Sequence, residues 1–172
     1  ILRFAKIYKL NKYKLLKTVN LFKGLNFRQQ IIYRNKFVTI LNDSKSTSFS
    51  SSISLLKSYK NIFWILGGLA KKGDKFELPS KYYKNIKGYI FGKDKNFFKK
   101  KLNNKIITKS HNDLEIILKK IVKEIKLNKK KHYYVLFSPS AASFDQFKNF
   151  EDRGYYFNNL IKKIKFIKKI NA

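Results

Sequence analysis

The chain has 172 residues, enough for one substantial core and marginal for two, and 44% of them are hydrophobic, which argues against intrinsic disorder. It contains no cysteine, so disulfides, thiolate nucleophiles and cysteine-held metals are excluded. Forty lysines and arginines against ten acids give a formal charge of +30, which taken alone argues for nucleic acid or an anionic membrane surface.

In chain order, residues 1 to about 23 carry a helical apolar pattern, with Leu15, Leu16, Val19 and Phe22 on one face and Gly24 as the stop. From Gln29 the rhythm changes to two short strands, Ile31 to Tyr33 and Phe37 to Leu41, joined at Arg34-Asn35-Lys36. A polar loop, Asn42 to Thr47, leads through serines into a helix over Ser51 to Tyr59, whose buried face is Ile53, Leu55 and Leu56. The most apolar strand, Ile62 to Leu66, contains Trp64, read as core packing, and runs into Gly67-Gly68. A short helix after Pro79, a strand at Tyr89 to Phe91, a helix over Asp94 to Leu102 and an extended piece at Ile106 to Thr108 follow. Asp113 to Ile125 is an amphipathic helix, with apolar positions 114, 117, 118, 121, 122 and 125. A strand from Tyr133 to Phe137 then gives way to a last helix from Gln146 onward. Ser143, followed three residues later by Gln146, fits a capping box at its start.

Strands alternating with helices predict an α/β fold with a mostly parallel, Rossmann-like sheet and flanking helices. Ligands of such sheets sit outside the carboxyl ends of the strands. Three loops fall there, Asn42–Thr47, Gly67–Lys72 and Ser138–Ser143, and they are the loops richest in polar and small residues. A helix N-terminus after the last of them would offer free N–H groups to a carboxylate or phosphate. Read on its own, Asn42-Asp43-Ser44-Lys45 is a polar strand-to-helix turn, where Asn, Asp and Ser are common. His111 and His132 lack metal-ligand spacing and are read as solvated surface groups, so no metal site is expected. No G-x-x-x-x-G-K-[ST] phosphate loop occurs in the chain.

The literal residues go further than the spacing. Ser138-Pro139 with Ser143-Phe-Asp-Gln-Phe-Lys-Asn-Phe-Glu-Asp-Arg-Gly154, Asn42-Asp43-Ser44-Lys45-Ser46-Thr47 and Gly67-Gly68-Leu69-Ala70-Lys71 resemble motifs of the D-glutamate-adding Mur ligases. A fourth stretch, Gly24 to Arg28, matches in part, because Asn26-Phe27 stand where that family most often has Pro-His. The resemblance covers essentially the whole chain. It implies a helical remnant of a central ATPase domain at 1–25 and the C-terminal D-glutamate-binding domain at 26–172.

It also implies ATP-dependent amide-bond formation through an acyl phosphate, adding D-glutamate to UDP-N-acetylmuramoyl-L-alanine. Lys71, Thr47, Ser143, Phe144 and Phe150 would contact D-glutamate, the two phenylalanines through their backbone. Arg28, Asp43 and Lys45 would lie on the nucleotide side. ATP and Mg2+ would be bound mainly by earlier domains, which would be this domain's partners along with the small-molecule substrates. The chain by itself would be inactive.

The absence of methionine, with Ile at position 1, fits a fragment whose beginning is lost. No apolar run approaches the ~20 residues of a spanning helix, and ILRFAKIYKL is too charged for a signal peptide, so a cytoplasmic protein is expected. The lysines are scattered through every segment, and Ile, Asn, Phe and Tyr, favoured beside them, all have A/T-rich codons. The charge is therefore read as genome composition, with no specific nucleic-acid partner. The alternative is a basic nucleic-acid module of the organelle ribosomal type. That would need lysines clustered on one face with exposed aromatics, whereas the ligase reading needs the aromatics mostly buried.

Overall fold

A computed structural model describes residues 2–22 and 24–163. The elements are α1 (Leu2–Ile7), α2 (Lys12–Leu21), β1 (Gln30–Arg34), β2 (Val38–Asn42), α3 (Phe49–Ser58), β3 (Ile62–Gly67), a 3-10 helix (Ser80–Asn85), β4 (Ile86–Phe91), α4 (Lys95–Leu102), β5 (Ile107–Ser110), α5 (Leu114–Leu127), β6 (Tyr133–Phe137) and α6 (Phe150–Lys163). The six strands form one sheet in the order β1-β2-β6-β3-β4-β5, with β1 antiparallel to β2 and the other neighbours parallel. The expectation of a mostly parallel α/β sheet is met.

Helices cover both faces, so the central strands are apolar without alternation: β2 and β3 are buried at every position. The pleat still divides them between two cores. Val38, Ile40, Phe63, Ile65, Tyr89, Phe91, Val135 and Phe137 face α5 and α6, where the Phe137 ring stacks on Phe157 at 4.1 Å. Leu41, Trp64, Leu66, Ile90 and Leu136 face α3 and α4. Each large side chain so buried contributes about 1.5–3 kcal/mol, against about 1 for a typical hydrogen bond. The apolar layers therefore hold the sheet, and the polar ties at its edge set geometry.

Three expectations are corrected. Within residues 2–22 the helical stretch is two helices, not one. Lys9 turns with a positive φ of 48° and Asn11 caps α2 by accepting from Lys14 N–H. No residue of α2 is buried; Leu16, Val19 and Phe22 are exposed. The last helix starts at Phe150, not Gln146. Residues 143–149 are turns and bends, and Asn149 Oδ1 accepts from Asp152 N–H at 2.7 Å, the bond expected of a cap there. The Ser143 capping box does not form. A true one stands at α3, where the Ser48 side chain and N–H pair with Ser51.

Candidate functional site

Register brings the three predicted loops to one edge, because β2, β6 and β3 run parallel with Asn42 beside Phe137 and Phe137 beside Ile65. Gly67 and Gly68 both have φ of 130°, and a Cβ there would lie 2.0 Å from the Phe91 carbonyl oxygen and 2.4 Å from that of Ala142. Only glycine permits both the torsion and the approach. The approach lets Leu69 and Ala142 exchange N–H···O bonds of 3.0 and 2.9 Å, joining the glycine loop to the Ser138 loop. The Asn42 loop joins them through Asp43 N–H, which donates to Phe137 O at 2.7 Å.

Within the Asn42 loop the side chains of Asn42, Asp43, Ser44 and Lys45 each have a partner outside the loop. Asn42 Nδ2 donates to Gly154 O and to Asn158 Oδ1 of α6. Asp43 is buried, with Oδ1 accepting from Gln29 N–H (3.1 Å) and Oδ2 from Ser138 Oγ (2.9 Å). Burial pushes its carboxyl above the usual range, opposed by those two hydrogen bonds and by the charge of Arg28. Ser44 Oγ donates to Phe150 O at 2.8 Å. The Lys45 ammonium lies 3.9 Å from the centroid of the Phe150 ring, a cation–π contact.

Arg28, Asp43 and Lys45, the three residues placed on the nucleotide side, line a single open cavity of about 370 Å³ with Gln29, Ser46 and Ser51. Phe27, where the resembled family most often has histidine, fixes this corner. Its ring lies against Gly154, where an added Cβ would come within 2.3 Å of it, and packs edge-on to Tyr155. Its carbonyl accepts from Lys45 N–H. The exposed Arg28 is thereby set beside the Asn42 loop.

The residues placed on the amino-acid side are spread along the same edge, and the lining of that cavity does not include Thr47, Lys71, Ser143 or Phe144. Thr47 is exposed just before α3. Lys71 is exposed in a turn closed by Asp74 N–H donating to Lys71 O. Asp74 Oδ2 in turn accepts from Phe49 N–H at 2.7 Å, which holds the lysine turn against the start of α3, two residues beyond Thr47. Ser143 is buried and its carbonyl accepts from Gln146 and Phe147 N–H; Phe144 is exposed. Phe150 opens α6.

Sequence reasoning missed Arg153. It is fully buried and donates through Nε to Ser44 Oγ (3.1 Å), through Nη2 to Ser44 O (2.7 Å) and through Nη1 to Ala141 O (3.0 Å). Burial lowers its pKa to about 10, with the nearby charge of Asp145 opposing, so it stays a cation at neutral pH. Its position on the apolar stripe of α6, with Phe157, Leu160 and Ile161, was the available signal. Also missed was the buried serine cluster of Ser46, Ser52, Ser138 and Ser140. Trp64 is core, as expected, and its Nε1 also donates to Ser138 O at 2.8 Å.

The histidines differ from expectation. Both are half-buried, and His132 bridges Thr39 Oγ1 and Lys36 O. His111 Nε2 is buried with no partner among the described residues. Among those residues no group of three or more His, Cys, Asp or Glu could hold a metal ion, and no helix is long and apolar enough to cross a membrane.

No family model matches the chain. Curated relatives do. The chain is 34% identical over 162 residues to the UDP-N-acetylmuramoylalanine–D-glutamate ligase of Wolbachia sp. subsp. Brugia malayi, covering 94% of this chain and 32% of that protein. It is 33% identical over 159 residues to the ligase of the same name from Rickettsia felis, covering 92% and 35%. With that of Hydrogenobaculum sp. the figure is 38% over 149 residues, covering 86% and 35%. Across that shared segment, about a third of their length, the chain is homologous to the UDP-N-acetylmuramoylalanine–D-glutamate ligases.

Proposed function

We propose that this chain is the C-terminal, D-glutamate-positioning part of a cytoplasmic bacterial UDP-N-acetylmuramoylalanine–D-glutamate ligase. In this reading residues 26–172 are the amino-acid-binding domain and 1–25 the end of an ATPase domain, and the exposed apolar residues of α2 fit a segment that docks elsewhere. The observation that carries the reading is the convergence of Arg28, Asp43 and Lys45 on one cavity, beside the loops bearing Lys71 and Ser143. The donor set fits a nucleotide, with Arg28 and Lys45 for phosphates and Asp43 for ribose hydroxyls. ATP and Mg2+ belong to the reaction, the metal held mainly by residues of preceding domains.

The domain's work is positional. ATP converts the carboxylate of UDP-N-acetylmuramoyl-L-alanine to an acyl phosphate, and the D-glutamate amine displaces phosphate. Lys71 and Thr47 would hold a D-glutamate carboxylate from the glycine-loop and α3 side, and Ser143 with the backbone of Phe144 and Phe150 would hold the molecule from the other. Fixing the amine against the acyl carbon replaces a bimolecular encounter by a near-attack geometry. By itself the 172-residue chain would form no amide.

Steady-state kinetics of the full-length ligase, with each substrate varied in turn, tests the assignment. Lys71→Ala removes one charge-assisted hydrogen bond, about 1.5–3 kcal/mol, so kcat/KM for D-glutamate should fall about ten- to a hundredfold or more while ATP is little affected. Asp43→Ala should show the complementary pattern. If Lys71→Ala raised the KM for ATP and left D-glutamate kinetics intact, the glycine loop would not belong to the amino-acid pocket.

A further inference from the structure

The serine cluster behind the nucleotide-side cavity contains a directed chain of hydroxyls. Ser138 Oγ donates to Asp43 Oδ2, and a hydroxyl has one proton. In its 2.7 Å contact with Ser52 Oγ, Ser138 must therefore accept. Ser52 uses its own proton there, and its Oγ also lies 2.7 Å from Ser46 Oγ and 2.6 Å from Ser140 Oγ. Ser46 Oγ also meets Ser51 Oγ at 2.8 Å, but the Ser51 proton goes to Ser48 O at 2.7 Å, so the direction is fixed from Ser52 through Ser138 to Asp43. Along that stretch the protons point toward Asp43. Both ends of the chain reach the same cavity, Asp43 at one end and Ser46 with Ser51 at the other.

The polarity has a consequence for recognition. Ionised Asp43 offers only acceptors to this wall of the cavity. That wall repels phosphate and suits a ligand group that donates two hydrogen bonds. The cations Arg28 and Lys45, on the same cavity, suit the phosphates. Asp43 Oδ1 is fixed by Gln29 N–H and Oδ2 by Ser138, so each oxygen keeps a lone pair in a set direction. We propose that Ser138, backed by Ser52, is a positioning residue that holds Asp43 as the acceptor for the vicinal diol of a bound nucleoside triphosphate. The inference rests on the ligase reading and deepens it, since that reading gives these serines no part.

The test compares wild-type full-length ligase with Ser138→Ala and Ser52→Ala, using ATP, 2'-deoxy-ATP and 3'-deoxy-ATP. Wild type should prefer ATP to either deoxy analogue. In Ser138→Ala the KM for ATP should rise at least about fivefold, the KM for the analogues should change little, and the preference should collapse. The KM for D-glutamate should stay put, although Ser138 begins the loop that leads to Ser143; a merely structural loss would raise it too. Burial raises the Asp43 carboxyl and the Ser138 bond opposes this, so without that bond ATP affinity should fail at a higher pH as the solution is acidified. Ser52→Ala, one hydroxyl further from Asp43, should shift the same readouts less, and it carries the test if Ser138→Ala does not fold. An active wild type whose Ser138→Ala and Ser52→Ala variants keep both the ATP preference and the pH profile would overturn the inference alone. A wild type that forms no amide and binds no ATP would overturn the ligase reading and the inference together.

Discussion

Arg153 carries a charge into the centre of the molecule, and its guanidinium donates only to neutral oxygens there. Two of those are backbone carbonyls on different loops, Ser44 O and Ala141 O, so one side chain on α6 fixes the distance between the two loops that frame the cavity edge. Truncation would leave both carbonyls without that donor and open a void beside Gly68, whose added Cβ would lie 3.4 Å from the Arg153 Nη1. Arg153→Ala is therefore expected to cost about 3 kcal/mol or more, read by urea denaturation of the chain. Arg153→Lys should recover part of that, because a single ammonium can serve one or two of the acceptors in place of three. A loss below about 1 kcal/mol for the alanine variant would show that water replaces the guanidinium at low cost. Neither this role nor that of Phe27 was legible from residue type. An arginine in a motif and an aromatic in a linker have obvious surface readings, and only the fold brings Arg153 under Ser44 and the Phe27 ring against Gly154.

At the scale of elements, hydrophobic period was a good guide wherever a whole face is buried. The apolar set of α5 foreseen from spacing is the buried set of the structure, and β3 and β6 lie where their apolar runs predicted. Period failed where local hydrogen bonding competes with the helix. From Ser143 to Asn149 the chain turns back on its own carbonyls before α6 begins, and a serine–glutamine spacing alone does not distinguish that turn from a cap. The docking of α5 on the sheet's β4–β5 side has an electrostatic clasp as well. Glu124 of α5 accepts from Lys87 Nζ (2.7 Å) and the Tyr89 hydroxyl of β4, and from Lys109 Nζ of β5 (3.0 Å). Burial alone would raise its carboxyl, but these donors outweigh it and hold the pKa at about 2. A carboxyl depressed in the folded state stabilises above its unfolded value of 4.5, and that contribution is lost as pH falls from there toward 2. Glu124→Gln should thus lower stability by about 1 kcal/mol at neutral pH, modest because both lysines are half-exposed and screened. Thermal melts across pH should show the gap from wild type narrowing below about pH 4.5. A gap that stayed constant down to pH 2 would mean packing, not charge, accounts for the loss.

For the molecule as a whole the question is what a formal charge of +30 does. Only three ion pairs form among the described residues, two of them on Glu124, so nearly all the lysine charge is unpaired by protein. The charge is not gathered into one stripe. Lysines stand at the amino ends of the strands, as Lys84, Lys87 and Lys131 around one cavity, and on α4, as Lys99, Lys100 and Lys101. They stand at the carboxyl edge too, as Lys45 and Lys71. The expectation that the aromatics lie mostly buried is met only in part, because Phe4, Tyr8, Tyr13, Phe22, Phe144, Tyr155 and Tyr156 are exposed while others fill the core. Trp64, Tyr89, Phe49, Phe91, Phe98, Phe137 and Phe157 are fully buried, and Tyr59 stacks on Tyr134 at 4.1 Å. A dispersed charge binds polyanions chiefly by counterion release, and that binding falls steeply as salt rises. The expected behaviour with a labelled single strand and a labelled duplex is therefore weak, sequence-independent association, lost between about 50 and 200 mM salt. Fluorescence anisotropy over a salt series reads it directly. Sub-micromolar, sequence-selective binding that persists at physiological salt would require a built nucleic-acid surface, and the charge would then be functional and not a by-product of composition.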